Sequence, residues 1–322
     1  MRVAFDSRAQ GDPRGIGRYV RCLLEALRET AAADGTVIET AQPRRADVYH
    51  SPWLEGALLR SPCPMVVTLH DVANLKRRGE YLRAAMRFRL RYLAVQHAQR
   101  VIVPTHAVAA DVQERLDIDA ERISVIAEAP APVMYPRGEP EIAAVRARYH
   151  LPAEYLLWVG GLLHPEPRKR VAALAAAPRR MPLVLVGPAR PWAHELPDVT
   201  VTGQVSDDEL AAIYTGAHAL VFPSDDEGFG LPAVEALACG TPVAACQAAA
   251  LREVLGERAT FVELGDMEGL LEAGLHATRP APAPPAWTWA DAARATWATY
   301  AAARAEAQLK TRRAPRLPRG VF

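Results

Sequence analysis

The chain has 322 residues, 50% hydrophobic and 23% charged, with a formal net charge of +1. That is globular composition with room for two ordinary domains, and it gives no global electrostatic reason to expect nucleic acid. No apolar run is long enough to span a bilayer, and Asp6 arrives before any apolar core, so no signal peptide is expected.

Cys22, Cys63, Cys239 and Cys246 lack zinc-site or redox spacing and are expected as reduced thiols of a cytosolic protein. Val3–Phe5 reads as a first strand. Gly11-Asp-Pro-Arg-Gly-Ile-Gly-Arg-Tyr19 follows, then an apolar helix to about Leu27. A glycine loop between a strand and a helix suits the approach of a phosphate, though a plain turn explains it equally. It is not a dinucleotide fingerprint, because Gly15-Ile-Gly17 is followed by Arg-Tyr. Asp47–Ser51 reads as a short strand carrying His50. Met65–Asp71 reads as a buried strand with His70 and Asp71 at its carboxyl end, where open α/β sheets bind ligands.

Residues 76–100 are strongly basic. Lys76, Arg77, Arg78, Arg83, Arg87, Arg89, Arg91 and Arg100 face only Glu80. The spacing predicts a helix over residues 80–98 with Arg83, Arg87 and Arg91 on one face. A solvated basic face fits this pattern, and so does a surface meeting an anionic partner. Val101–Val103 reads as a strand, His106–Leu116 as a helix and Ile123–Ile126 as a strand. Gly138–His150 reads as the passage between domains.

In the second half, Tyr155–Val159 is a predicted strand ending at Gly160-Gly161. Leu162-Leu-His-Pro-Glu-Pro-Arg-Lys-Arg170 then leads into an alanine-rich helix. Cations at a helix start oppose its dipole; a bound diphosphate would explain Arg168 and Lys169. Leu183–Val186 and Val199–Val205 are further strands, and Ser206-Asp-Asp-Glu209 is a capping box.

Ala219–Phe222 is a buried strand followed by Glu227-Gly-Phe-Gly-Leu-Pro and Glu235-Ala-Leu-Ala-Cys-Gly-Thr-Pro. Gly228 and Gly230 would let backbone approach a ligand, and Pro232 suits the first helical position. The N–H groups of about residues 229–232 would then face an anion. Glu227 and Glu235 flank that site. Carboxylates beside a phosphate make sense as acceptors for sugar and ribose hydroxyls. Two solvated glutamates on an ordinary βα unit is the plainer reading of the spacing alone. Ala277–Pro285 is a proline-rich linker. Trp287-Thr-Trp289 opens a last helix to about Glu306, with Trp289, Trp297 and Tyr300 as a docking face. Leu309–Phe322 reads as a disordered basic tail.

Taken together, the string from Glu227 to Pro242 resembles the Glu-x7-Glu motif of the family 4 retaining glycosyltransferases of GT-B fold. The subgroup it resembles is the mannosyltransferases of bacterial polysaccharide assembly. The resemblance implies an α/β fold of two Rossmann-like domains facing a cleft, residues 1–150 on the acceptor side and 151–286 binding nucleotide sugar. A helix over 287–308 would return to the first domain, and 309–322 would be tail. It implies that His70 and Glu227 position the transferred sugar, Glu235 the ribose, Arg168 and Lys169 the diphosphate, and Val205 the base. Gly15 would face the donor phosphate, and Phe229, Gly230 and Leu231 would contribute the helix start.

The reaction implied is sugar transfer from a nucleotide diphosphate sugar, GDP-mannose first and UDP-sugars next, to a glycan or lipid-linked hydroxyl. No metal or other cofactor is expected, and no second carboxylate is assignable as a covalent nucleophile, so front-face departure and attack is preferred. The location implied is cytoplasmic, peripheral to the membrane if Arg83, Arg87 and Arg91 meet anionic lipid. Three departures from the pattern stand out. The stretch from Gly35 to Asp47 is short enough to omit an edge strand or acceptor loop. Ala127-Glu-Ala-Pro130 replaces Asn-Gly, and Gly161 stands where many relatives carry arginine. A nucleotide-sugar 2-epimerase and a non-catalytic sugar-binding partner are the alternative functions.

Overall fold

The structure, a computed structural model, describes residues 1–76 and 81–313; the side chains of residues 74, 76, 81–88 and 311–313 are outside the description. The first half runs β1 (Arg2–Phe5), α1 (Gly15–Glu29), β2 (Thr36–Glu39), β3 (Val48–Ser51), β4 (Met65–Thr68), α2 (Ala73–Lys76), α3 (Tyr81–Gln96), β5 (Arg100–Val103), α4 (His106–Leu116) and β6 (Ile123–Val125). After α5 (Glu139–Tyr149), the second half runs β7 (Leu156–Val159), α6 (Val171–Ala176), β8 (Leu183–Val186), α7 (Pro191–His194), β9 (Val199–Gly203), α8 (Asp207–Gly216), β10 (Ala219–Phe222), α9 (Leu231–Ala238), β11 (Val243–Cys246), α10 (Ala249–Leu255), β12 (Thr260–Val262) and α11 (Met267–Leu275). The last helix is α12 (Trp289–Arg313).

Each half is a six-stranded parallel sheet, ordered β2-β1-β3-β4-β5-β6 and β12-β11-β10-β7-β8-β9. The central strands are short apolar runs buried on both faces, such as Met65-Val-Val-Thr68 and Leu183-Val-Leu-Val186. Helices on both sides of a parallel sheet require that pattern. Chain order reverses between β1 and β3 in one sheet and between β7 and β10 in the other. Such reversals open crevices at the strands' carboxyl ends.

The helix α12 lies on the first half, against α1. Ala292, Ala293, Thr296, Tyr300 and Ala303 form its buried stripe. Thr288 and Asp291 cap it reciprocally, at 3.1 Å each way. The Trp289 indole donates to the Pro130 carbonyl, that of Trp297 to Leu27, and Tyr300 meets the buried His50. Burial lowers the His50 pKa to about 3, so this imidazole is neutral and structural.

Two sequence expectations change, and a third gains detail. Of the edge strand or acceptor loop that the stretch from Gly35 to Asp47 was short enough to omit, the edge strand is present as β2, paired parallel with β1. Its half-exposed Thr-Val-Ile-Glu gives little apolar signal. The passage Gly138–His150 is largely α5, which packs on α8 of the second half through Ile142 and Val145. The last helix does not stop near Glu306. It continues to Arg313, so Leu309–Arg313 of the expected tail are helical; alanine, lysine and arginine are strong helix formers. Residues 314–322 lie outside the described residues.

Candidate functional site

The carboxyl ends of the two sheets enclose a cavity of about 490 Å³, within the usual size of small-molecule sites. Loops after β1, β3, β4 and β6 supply one wall. Loops after β7, β8, β9 and β10 supply the other. Gly15, His70, Arg168, Lys169, Val205, Glu227, Phe229, Gly230, Leu231 and Glu235 all line it.

Arg168 sits at the middle of the second wall, in a turn (Pro167–Lys169) just before α6. It lies 3.0 Å from the Asp226 carbonyl, 3.4 Å from Glu227, 3.5 Å from Asp71 and 3.2 Å from Glu166. Burial disfavours its charge, but Glu227, Asp71, Glu166 and Asp226 outweigh that and raise its pKa. Lys169 Nζ is 3.1 Å from Glu166. Burial also raises the Glu227 carboxyl, against the pull of Arg168 and Lys169.

The start of α9 faces the same space. The N–H groups of Phe229, Gly230 and Leu231 have no protein acceptor among the described residues. Pro232, the second helical residue rather than the first, donates none. Opposite lies the start of α1, where a methyl on Gly15 would sit 3.6 Å from Leu231. That is ordinary contact distance, so protein packing does not demand glycine there.

The two motif glycines also answer to the protein's own packing. A Cβ on Gly228 would lie 1.7 Å from the His70 carbonyl oxygen, so this glycine lets the two halves touch. Gly230 caps α9 with φ +91°, and its Cβ would strike Leu251.

His70 has both ring nitrogens engaged: Nδ1 is 3.0 Å from Glu128 and Nε2 is 3.0 Å from the Pro52 carbonyl. Burial lowers its pKa, but Glu128 and the Pro52 carbonyl outweigh this and raise it. Two acceptors on one ring match an imidazolium donating twice. At the far end, Glu235 accepts from Arg18 and lies 3.3 Å from the Tyr214 hydroxyl. Val205, beside Gln204, closes this end. Cations and a helix start in the middle with carboxylates on either side can hold a diphosphate flanked by two hydroxyl-bearing groups.

Two family models match this chain: one described as Glycosyltransferase Family 4 over residues 4–128, the other as Glycosyl transferases group 1 over residues 153–278. The chain belongs to this glycosyltransferase family. It is 26% identical over 252 residues to O-antigen chain mannosyltransferase B of Escherichia coli, covering 69% of this chain and 63% of that protein. It is 33% identical over 247 residues to the D-inositol 3-phosphate glycosyltransferase of Thermobispora bispora, covering 66% and 57%. The chain thus spans less than two thirds of these relatives' own length. In fold it matches sucrose-phosphate synthase of Thermosynechococcus elongatus, with TM-score 0.65 and 21% identity over 97% of this chain and 98% of that one. It also matches Anabaena HepE in complex with UDP-glucose, with TM-score 0.68 and 16% identity over 97% and 99%. The fold is GT-B.

Some residues of this site were not assigned from the sequence. Asp71 and Glu128 also line the cavity with Glu227. Both are held, Asp71 by Arg168 and Glu128 by His70. Asp225 turns to Arg170 at 2.8 Å. Sequence reasoning missed Glu128, 3% exposed, although a lone charge in Ile126-Ala-Glu-Ala-Pro130 was a signal. It also missed Arg18, which stood inside the quoted glycine string. Among the described residues, no group of three or more His, Cys, Asp or Glu is placed to hold a metal.

Proposed function

We propose that this chain transfers a sugar from a nucleotide diphosphate sugar to a hydroxyl of a glycan or lipid-linked acceptor, with retention of anomeric configuration. GDP-mannose is the lead donor, on the mannosyltransferase relatives. UDP-sugars come next, since the fold neighbour HepE binds UDP-glucose. The observation that carries the proposal is the meeting of Arg168, Lys169 and the α9 start between Glu227 and Glu235 in one cleft. As the bond to the sugar breaks, charge grows on the leaving diphosphate, and these groups stabilise it without a metal. Activity should therefore survive a chelator. Asp71 and Glu128 are each tied to a cation, so neither is a free nucleophile, which supports front-face departure and attack. Closure of the halves would exclude water and so favour transfer over hydrolysis.

The test is nucleoside diphosphate binding by Glu235→Ala. Ribose contacts act alike in ground and transition states, so affinity should fall while turnover at saturation changes little. Unchanged affinity for both GDP and UDP would remove the ribose assignment.

The acceptor reading includes an anionic membrane at the cytoplasmic face. Among the described residues no helix is long and apolar enough to cross a membrane. The side chains of Arg83 and Arg87 lie outside the described residues, whereas Arg91 is turned to the Ala57 carbonyl at 3.1 Å. Arg89, Leu90 and Leu93 are exposed on the same helix. Each arginine near an anionic surface contributes about 1 kcal/mol. Wild type should bind anionic liposomes at low salt, and changing Arg83, Arg87 and Arg91 together to Glu should abolish this while leaving donor affinity intact. A wild type that ignores such liposomes would point to a soluble acceptor.

A further inference from the structure

At the nucleoside end of the cleft, α1 of the first half reaches the second half through Arg18. Its Nη1 donates to Glu235 on α9, and its Nη2 donates to Asp207 at the start of α8. Arg21, one turn further on, lies 3.7 Å from the second Asp207 oxygen. Glu235 is 1% exposed, and its other oxygen faces the Tyr214 hydroxyl. Cys22 on α1 and Cys239 at the end of α9 are the remaining ionisable groups that feel this carboxyl.

We propose that Arg18 is a positioning residue for the donor nucleotide, reaching across the cleft to hold Glu235 ionised and oriented for the ribose hydroxyls. The nucleoside site is then complete only when both halves contribute. This rests on the reading of Glu235 as the ribose acceptor. An ionised carboxyl accepts on both oxygens, whereas a protonated one turns one oxygen into a donor. Glu235 sits on an apolar helix, Leu231-Pro-Ala-Val-Glu-Ala-Leu-Ala238, where an unpaired carboxyl keeps its proton. Burial raises the Glu235 pKa above the ordinary glutamate value, and Arg18 holds back part of that rise. An ionised carboxylate offers about four lone-pair sites. Arg18 and Tyr214 therefore leave room for a pair of ribose hydroxyls.

The experiment is calorimetric titration of the full chain with GDP and with UDP across acid to neutral pH. Arg18→Gln should weaken binding about tenfold or more at neutral pH, the effect of losing a hydrogen bond to a charged group. It should also move the acid limb of binding upward by about one pH unit or more, because Glu235 then takes its proton nearer neutrality. Glu235→Asp withdraws the carboxyl from Arg18 by one methylene. It should show the same upward shift, and it decides the matter if Arg18→Gln does not fold. In a Glu235→Gln background the part of the limb due to Glu235 should vanish, leaving the ligand's own phosphate titration, and adding Arg18→Gln should change affinity little. A loss that is uniform at every pH would leave Arg18 a structural strut and overturn the proposal. Unchanged or tighter binding by Arg18→Gln would overturn it too. If Glu235→Gln itself binds normally, the ribose reading fails; if Glu235 matters and Arg18 does not, this inference fails alone.

Discussion

Glu227→Gln is expected to lower turnover by about 100-fold or more, the scale of losing one preorganised transition-state contact, while nucleoside diphosphate affinity changes little. Glu227 stands beside Arg168 at the carboxyl end of β10 and closes the sugar side of the cleft. Glutamine keeps the shape but removes the ionised acceptor that orients the sugar hydroxyls. The sign of the pH effect follows from burial. Burial raises the Glu227 pKa, so it takes up a proton at higher pH than an ordinary glutamate. Wild-type activity should therefore fall on the acid side with a limb above the usual carboxylate range, and that limb should be absent in Glu227→Gln. Steady-state turnover with saturating donor checks this. Near-normal turnover with raised KM alone would make Glu227 a binding residue.

Arg168→Ala is expected to weaken nucleoside diphosphate binding by about 1–3 kcal/mol, the scale of a hydrogen bond to a charged group, and monophosphate binding by less. The cost should lie toward the upper end. Without Arg168, the carboxylates of Glu227, Asp71 and Glu166 are left facing the ligand's charge. Lys169→Ala should cost less, because Lys169 has Glu166 as its one ion-pair partner among the described residues. A diphosphate must take both cations from Glu166, so the site exchanges one set of anions for another on binding. Calorimetry with paired mono- and diphosphates measures the difference. Equal losses for both would place Arg168 away from the terminal phosphate.

The sequence carried what is local. The apolar run Ala219–Phe222 gave β10, and Pro232 placed the start of α9 to within one residue, because burial and backbone punctuation act over a few positions. The capping box at Ser206 and Glu209 formed for the same reason. What joins distant segments was not legible. Arg18 and Glu235 are 217 residues apart, and His70 and Glu128 are 58 apart. Neither pair has a spacing rule. A second demand on Gly228 was hidden on the same ground: its missing side chain makes way for the backbone at His70, in the other half. The strand β2 escaped because a half-exposed edge strand carries a weak apolar pattern.

The central claim is that the cleft breaks the bond between a sugar and a nucleoside diphosphate and passes the sugar to an acceptor. The direct measurement is proton NMR of the full chain with GDP-mannose or a UDP-sugar, first alone and then with a hydroxyl acceptor such as a mannoside. The donor alone should change little. With acceptor, nucleoside diphosphate should be released stoichiometrically with a new glycoside whose anomeric configuration is that of the donor. An epimerised nucleotide sugar formed without acceptor, or an inverted glycoside, would contradict the claim.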